Sequence, residues 1–136
     1  MVRLLAGKKG TGKTKQIIDL ANDQVEKSPG HIVFIDDDMR HSYEINHDIR
    51  LLNMEEFSIK TADEFFGFLC GIASTDYDIE TIYVDGILKI IDLQYSDLPD
   101  YLEKIEKMCE SYDVEFVISF TADPEELPGS LKEKLI

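Results

Sequence analysis

In the segment Gly7-Lys8-Lys9-Gly10-Thr11-Gly12-Lys13-Thr14, two glycines enclose four residues and are followed by Lys and Thr, the spacing of a loop that cradles phosphate. A triphosphate crowds several negative charges onto neighbouring oxygens and needs many donors at close range. Successive backbone N–H groups curled around the anion supply them, and a helix starting at the loop adds the positive end of its dipole. Gly7, Gly10 and Gly12 are expected to take backbone angles closed to other residues and to keep Cβ atoms clear of the anion. Lys13 is the mobile point charge for the β- and γ-phosphate oxygens. The Thr14 hydroxyl is one ligand for a Mg²⁺ ion that keeps several of its waters. Lys8 and Lys9 either add charge over the phosphates or stay solvated. The plain alternative for the whole segment is a glycine-rich turn before a helix.

A site of this kind also needs an acidic residue at the end of a buried strand, bound to the metal directly or through water. Asp85 fits, because the mostly apolar Thr81-Ile82-Tyr83-Val84 precedes it. Against this, Asp85-Gly86 between Ile82-Tyr83-Val84 and Ile87-Leu88 is also a two-residue hairpin signal. A further acidic group, Asp36-Asp37-Asp38, ends another apolar run, and Arg40 two residues on is able to pair with one of the three. A loop of solvated carboxylates is the alternative there. His31, His41 and His47 show no metal-ligand spacing, and Cys70 and Cys109 read as buried free thiols.

The elements that must position these residues follow from the apolar pattern. Val2-Arg3-Leu4-Leu5-Ala6 reads as a short buried strand before the glycine loop. Lys15 to Lys27 reads as a helix with Ile17, Ile18, Leu20, Ala21 and Val25 on one side. His31 to Asp36 and Thr81 to Asp85 are continuous apolar runs, the signature of parallel strands covered on both faces. Asp48 to Leu52 is a candidate strand, and Phe57-Ser58-Ile59 is expected as a short edge strand. Thr61 with Glu64 three residues on predicts a capped helix presenting Phe65, Phe66, Phe68, Leu69 and Ile72. Leu98 to Tyr112 is a helix with Leu102, Ile105 and Met108 inward, Val114 to Phe120 is the last strand, and Ser130 to Leu135 a small closing helix. Strand and helix alternate, so residues 1–136 are expected to form a single α/β domain.

Through the loop motif and its strand–loop–helix setting, the chain resembles the P-loop (Walker A) NTPase superfamily. Only the first fifteen residues match a specific motif; from there to about Phe120 the match is in element order alone. The chain also resembles small bacterial ATP-binding proteins labelled after the pilus-retraction motor, although the acidic and histidine-rich motifs of the motor itself have no counterpart here. The superfamily likeness implies a three-layer fold, a mostly parallel sheet of about five strands with helices on both faces, and a nucleotide at the carboxyl ends of the strands. In the branch whose members carry a hydrolytic glutamate, that residue directly follows the strand-end Asp, and here the position is Gly86. Losing a positioned base typically lowers a rate by about 10²–10⁴, so hydrolysis is expected to be slow. Ser119 and Thr121 resemble the polar position that contacts the γ-phosphate or the attacking water in that branch. This would set their strand between the loop strand and the Asp85 strand. A hydroxyl satisfied by local backbone is the alternative.

Small kinases of the superfamily place acidic residues where Asp36 to Asp38 fall, which implies an acceptor site. They also close an arginine-bearing lid over the phosphates, and this chain has only Arg3, Arg40 and Arg50. The guanine-selective Asn-Lys-x-Asp sequence is absent, which leaves ATP as the default nucleotide. The net charge of −14 and the lack of a basic stripe argue against nucleic acid and anionic membranes as partners. No apolar run reaches a membrane span and no signal-peptide pattern appears, so a cytoplasmic protein is expected. The reading is an ATP- and Mg²⁺-binding protein with slow hydrolysis. A small-molecule kinase and a non-enzymatic nucleotide-responsive module are the alternatives. A protein partner or homo-oligomer stays open.

Overall fold

A computed structural model describes residues 1–136. Its centre is one sheet of β1 (Val2–Gly7), β2 (His31–Asp36), β3 (Arg50–Asn53), β4 (Ile79–Asp85) and β5 (Glu115–Thr121). The order across the sheet is β1-β5-β4-β2-β3, and every pairing is parallel. Parallel neighbours need crossover connections, and the helices that make them cover both faces. These are α1 (Lys13–Lys27), α2 (Ala62–Thr75), the short α3 (Ile87–Ile90) and α4 (Leu98–Tyr112); a further short helix, α5 (Gly129–Lys132), follows β5.

The two faces bury different amounts of chain. On one, α1 lays Ile17, Ile18 and Ala21 against Leu5, Ile32, Phe34 and Tyr83. On the other, α2 and α4 press Phe65, Leu69, Leu102 and Ile105 onto Leu4, Ile35, Val84 and Phe116 in a larger cluster. Each such side chain contributes about 1.5–3 kcal/mol by leaving water, so the scaffold under the loop is rigid. The Thr61–Glu64 capping box is present: Thr61 Oγ1 accepts from the Glu64 amide at 3.1 Å, and Glu64 Oε1 accepts from the Thr61 amide at 3.0 Å.

Three expectations need correcting. Phe57-Ser58-Ile59 is not a strand; the edge of the sheet is β3, inside the Asp48–Leu52 candidate region apart from Asn53. Phe57 instead packs its ring on Phe68 of α2, with centroids 5.0 Å apart. The hairpin reading of Asp85-Gly86 fails because both neighbours of β4 run parallel to it and α3 follows directly. The closing helix is only Gly129–Lys132, after which the chain runs beside β1. The Leu4 amide donates to the Lys134 carbonyl at 2.8 Å and the Ile136 amide to the Leu4 carbonyl at 2.9 Å. No helix is long and apolar enough to cross a membrane.

Candidate functional site

The glycine loop leaves β1 at the carboxyl end of the sheet and enters α1. Gly10 and Gly12 hold φ values of 83° and 85°, the left-handed region that side-chain-bearing residues avoid. Gly7 is different. It closes β1 with ordinary backbone, and a Cβ there would lie 2.5 Å from Thr11 Oγ1, so a side chain would have to displace the Thr11 hydroxyl from its place in the loop. The Thr11 hydroxyl donates to the Lys8 carbonyl at 2.8 Å and fixes the curl of the loop. Gly12 caps α1, whose first intrahelical bond runs from the Gln16 amide to the Gly12 carbonyl at 3.1 Å. The amides of the first turn therefore point out of the helix end, and no acidic side chain stands in that turn to compete for them.

Lys13 Nζ donates to the Gly7 and Lys8 carbonyls at 2.9 and 3.1 Å, so its ammonium sits over the mouth of the loop. Burial first, and the neighbouring Lys89 ammonium second, lower the Lys13 pKa against the opposing pull of Asp85. The two lysines left open by sequence separate here: Lys8 pairs with Asp123 at 3.6 Å, whereas Lys9 lines the cavity above the loop. That cavity measures about 180 Å³ and is bounded by Lys9, Lys13, Thr14, Asp85, Lys89 and Ser119. Thr14, in the first turn of α1, and Asp85, at the end of β4, thus face one space.

Between the β1 and β4 ends lies β5, as the resemblance implied, and it supplies the part that sequence left undecided. Ser119 Oγ donates to Asp85 Oδ1 at 2.6 Å and accepts from the Gly86 amide at 2.8 Å. Its hydroxyl is not satisfied by local backbone; it holds the Asp85 carboxylate and the following turn together. Thr121 stands exposed on the cavity rim.

Asp36 ends β2 directly opposite Asp85 in the strand register and is 2% exposed. Burial, then a hydrogen bond with the Asp37 side chain, then the Asp85 charge push its pKa up to about 8. Asp37 is half-buried and donates its amide to Asp36 Oδ1 at 2.8 Å. Asp38 is drawn off to Arg40, with Oδ2 2.7 Å from Nε, and the Arg40 backbone amide holds its carboxyl below the usual range. Asp37 lines a second, larger groove of about 560 Å³ with Met54, Phe57, Lys60 and Asp92, and Lys89 borders both spaces.

Sequence reasoning did not single out Lys89. The available signal was its place four residues after Asp85, across one turn of α3. Gly86, at φ 75°, bends the chain into that turn.

A glycine loop between β1 and α1, with β5 set between β1 and the Asp85 strand, is a P-loop NTPase-like α/β fold. No protein-family model matches the chain, and no curated protein matches it in sequence. Among solved structures, it is similar to a KaiC-like protein of the hyperthermophilic archaeon Pyrococcus horikoshii OT3. The TM-score is 0.66 at 16% identity, over 97% of this chain and 67% of that one. At that identity the likeness shows the fold alone.

Proposed function

We propose that this protein binds ATP at the Gly7–Thr14 loop and hydrolyses it slowly with Mg²⁺. The observation that carries the reading is the convergence of Lys13, Thr14 and Asp85 on one 180 Å³ cavity, with Asp85 fixed from behind by Ser119. The first-turn amides of α1 and the Lys13 ammonium receive the phosphates. The donor set fits a hard divalent cation: Thr14 offers a hydroxyl, and Asp85 is a carboxylate that forms no ion pair and has one oxygen not engaged by Ser119. Mg²⁺ held there supplies neutralisation of the phosphate oxygens. The expected slowness rests on Gly86, which leaves no carboxylate next to Asp85. The nearest alternatives, Asp36 and Asp37, stand one strand away and share a hydrogen bond. A cytoplasmic setting belongs to the same proposal, supported by the two free thiols Cys70 and Cys109.

Phosphoryl transfer to a small acceptor is the second reading. The 560 Å³ groove favours it, because it places Asp37 beside the phosphate cavity with apolar Met54 and Phe57 to hold a ligand body.

Thermal melting with millimolar Mg·ATP, Mg·GTP or a non-hydrolysable ATP analogue tests nucleotide binding. Ligand at about a hundred times its Kd adds roughly 2.7 kcal/mol, a rise in Tm of about 2–8 °C for a domain of this size. Lys13→Ala should remove the rise, together with any phosphate release above blank. A rise without phosphate release would leave a nucleotide-responsive module, and no rise with any nucleotide would end the proposal.

A further inference from the structure

When a γ-phosphoryl group is transferred, the charge on its oxygens must be met from a second side, and arginine is the common means because its fork matches phosphate geometry. None of the three arginines here is free to do so. Arg40 is held by Asp38 at 2.7 Å, Arg50 by Asp76 at 2.8 Å at the opposite end of the sheet, and Arg3 lies within β1 with its Nε buried. The cations that line the phosphate cavity are Lys9, Lys13 and Lys89.

Lys89 differs from the other two in where it comes from. Lys9 and Lys13 rise from the loop itself, whereas Lys89 approaches from α3, across the cavity. A Cβ built at Gly86 would meet Lys89 Cδ at 3.4 Å and Cγ at 3.7 Å, so the aliphatic stem folds back over Gly86 toward the Asp85 end of β4. The lysine ion pairs of the chain engage Lys8, Lys15, Lys104 and Lys134, and no carboxylate takes Lys89. Its charge is felt at Lys13, whose pKa it helps to lower. Two unpaired ammoniums facing one small space repel each other, and an anion between them reverses the sign of that interaction.

We propose that Lys89 is a phosphate-binding residue that contacts the γ-phosphate of the bound nucleoside triphosphate from within the same chain, opposite Lys13. This rests on the reading of the cavity as a phosphate site. It holds whether water or an acceptor in the neighbouring groove takes the phosphoryl group, because Lys89 borders both spaces.

The test compares affinities for a non-hydrolysable ATP analogue and for ADP, by calorimetry with Mg²⁺, in the wild type, Lys89→Ala, Lys89→Met, Lys89→Arg and Lys13→Ala. A charged hydrogen bond to the γ-phosphate predicts that Lys89→Ala and Lys89→Met weaken the triphosphate analogue about 10–100-fold. ADP should bind as before, and Lys89→Arg should recover part of the loss. Lys89 is exposed, and Lys89→Met keeps the apolar stem over Gly86, so the fold is expected to survive both changes. Equal weakening of both nucleotides, or no weakening of either, overturns the assignment of Lys89 while leaving the phosphate site in place. Absence of binding by the wild type, or full binding by Lys13→Ala, removes the phosphate site and this inference with it.

Discussion

At the amino end of the sheet, Asp76 lies 2.6 Å from His31 Nδ1 and 2.8 Å from the Arg50 guanidinium, and these contacts, with the Asp78 amide, hold its carboxyl below the usual range. At the carboxyl end, Asp36 and Asp85 stand side by side at the tips of β2 and β4, buried, and neither forms an ion pair. There burial and neighbouring acid groups push Asp36 up to about 8. Both ends collect carboxylates, but Asp76 has cationic partners in direct contact, whereas Asp36 and Asp85 have none. Asp85 facing a cavity lined by Lys9, Lys13 and Lys89, none of which forms an ion pair, with Asp36 buried beside it, is an unfavourable arrangement for the apoprotein. Such arrangements gather where a ligand is meant to complete the charge balance. The contrast supports the proposal that the phosphate site lies at the carboxyl end, on grounds separate from the loop motif.

The sharpest way to break the contrast is Asp36→Asn. Between about pH 4 and pH 8 the folded state keeps a proton on Asp36 that the unfolded chain releases, so rising pH works against folding through that window. The amide cannot ionise, yet its oxygen still accepts from the Asp37 amide. In magnesium-free buffer at pH 8, Asp36→Asn should be the more stable protein by on the order of a few kcal/mol in urea unfolding. The wild type's loss of stability from pH 5 to pH 8 should flatten in the variant. A variant less stable than wild type at pH 8 would mean that the Asp36 carboxylate is well accommodated.

Ser119→Ala should follow in size. It leaves Asp85 Oδ1 without its donor and the Gly86 amide without its acceptor in a buried setting, at a cost of about 1–3 kcal/mol. The same change should reduce phosphate release, because Asp85 loses its orientation. Stability and turnover both unchanged would show that Ser119 does not organise the site.

Arg50→Ala probes the other end and should do least. The pair is largely solvent-exposed on the Arg50 side, and such pairs contribute little. A carboxyl with a depressed pKa stabilises the fold above its unfolded value, and that help fades as pH falls through the folded value. The variant should therefore match wild type near neutrality to within a small drop in Tm, and its nucleotide-induced rise should be unaltered. A lost nucleotide response would mean that the two ends are coupled.

Much of this arrangement was legible in the chain. The glycine loop, the β2 and β4 runs, the Thr61 capping box and the bounds of α4 all rest on local chemistry, and they appear where expected. Phe57-Ser58-Ile59 misled because apolar character is local, whereas strand identity depends on a partner, and Phe57 found Phe68 instead. For Gly7 the expected special backbone angle is absent, and what a side chain would meet there is Thr11, a contact no local sequence signal reveals. Lys89 was invisible for a similar reason. A single lysine in a four-residue, otherwise apolar helix carries no periodic signal, and only the turn at Gly86 brings it over the cavity.

The pairing of residues 134–136 alongside β1 has a consequence for association. On the outer rim of β1 the Leu4 amide and carbonyl are already taken by Lys134 and Ile136, whereas β3, a strand of four residues beginning with charged Arg50, forms the other border of the sheet. Strand addition at the β1 border is thereby interrupted at its middle. Two copies meeting through β3 would use up that border on both, leaving for further extension only a rim already broken at Leu4.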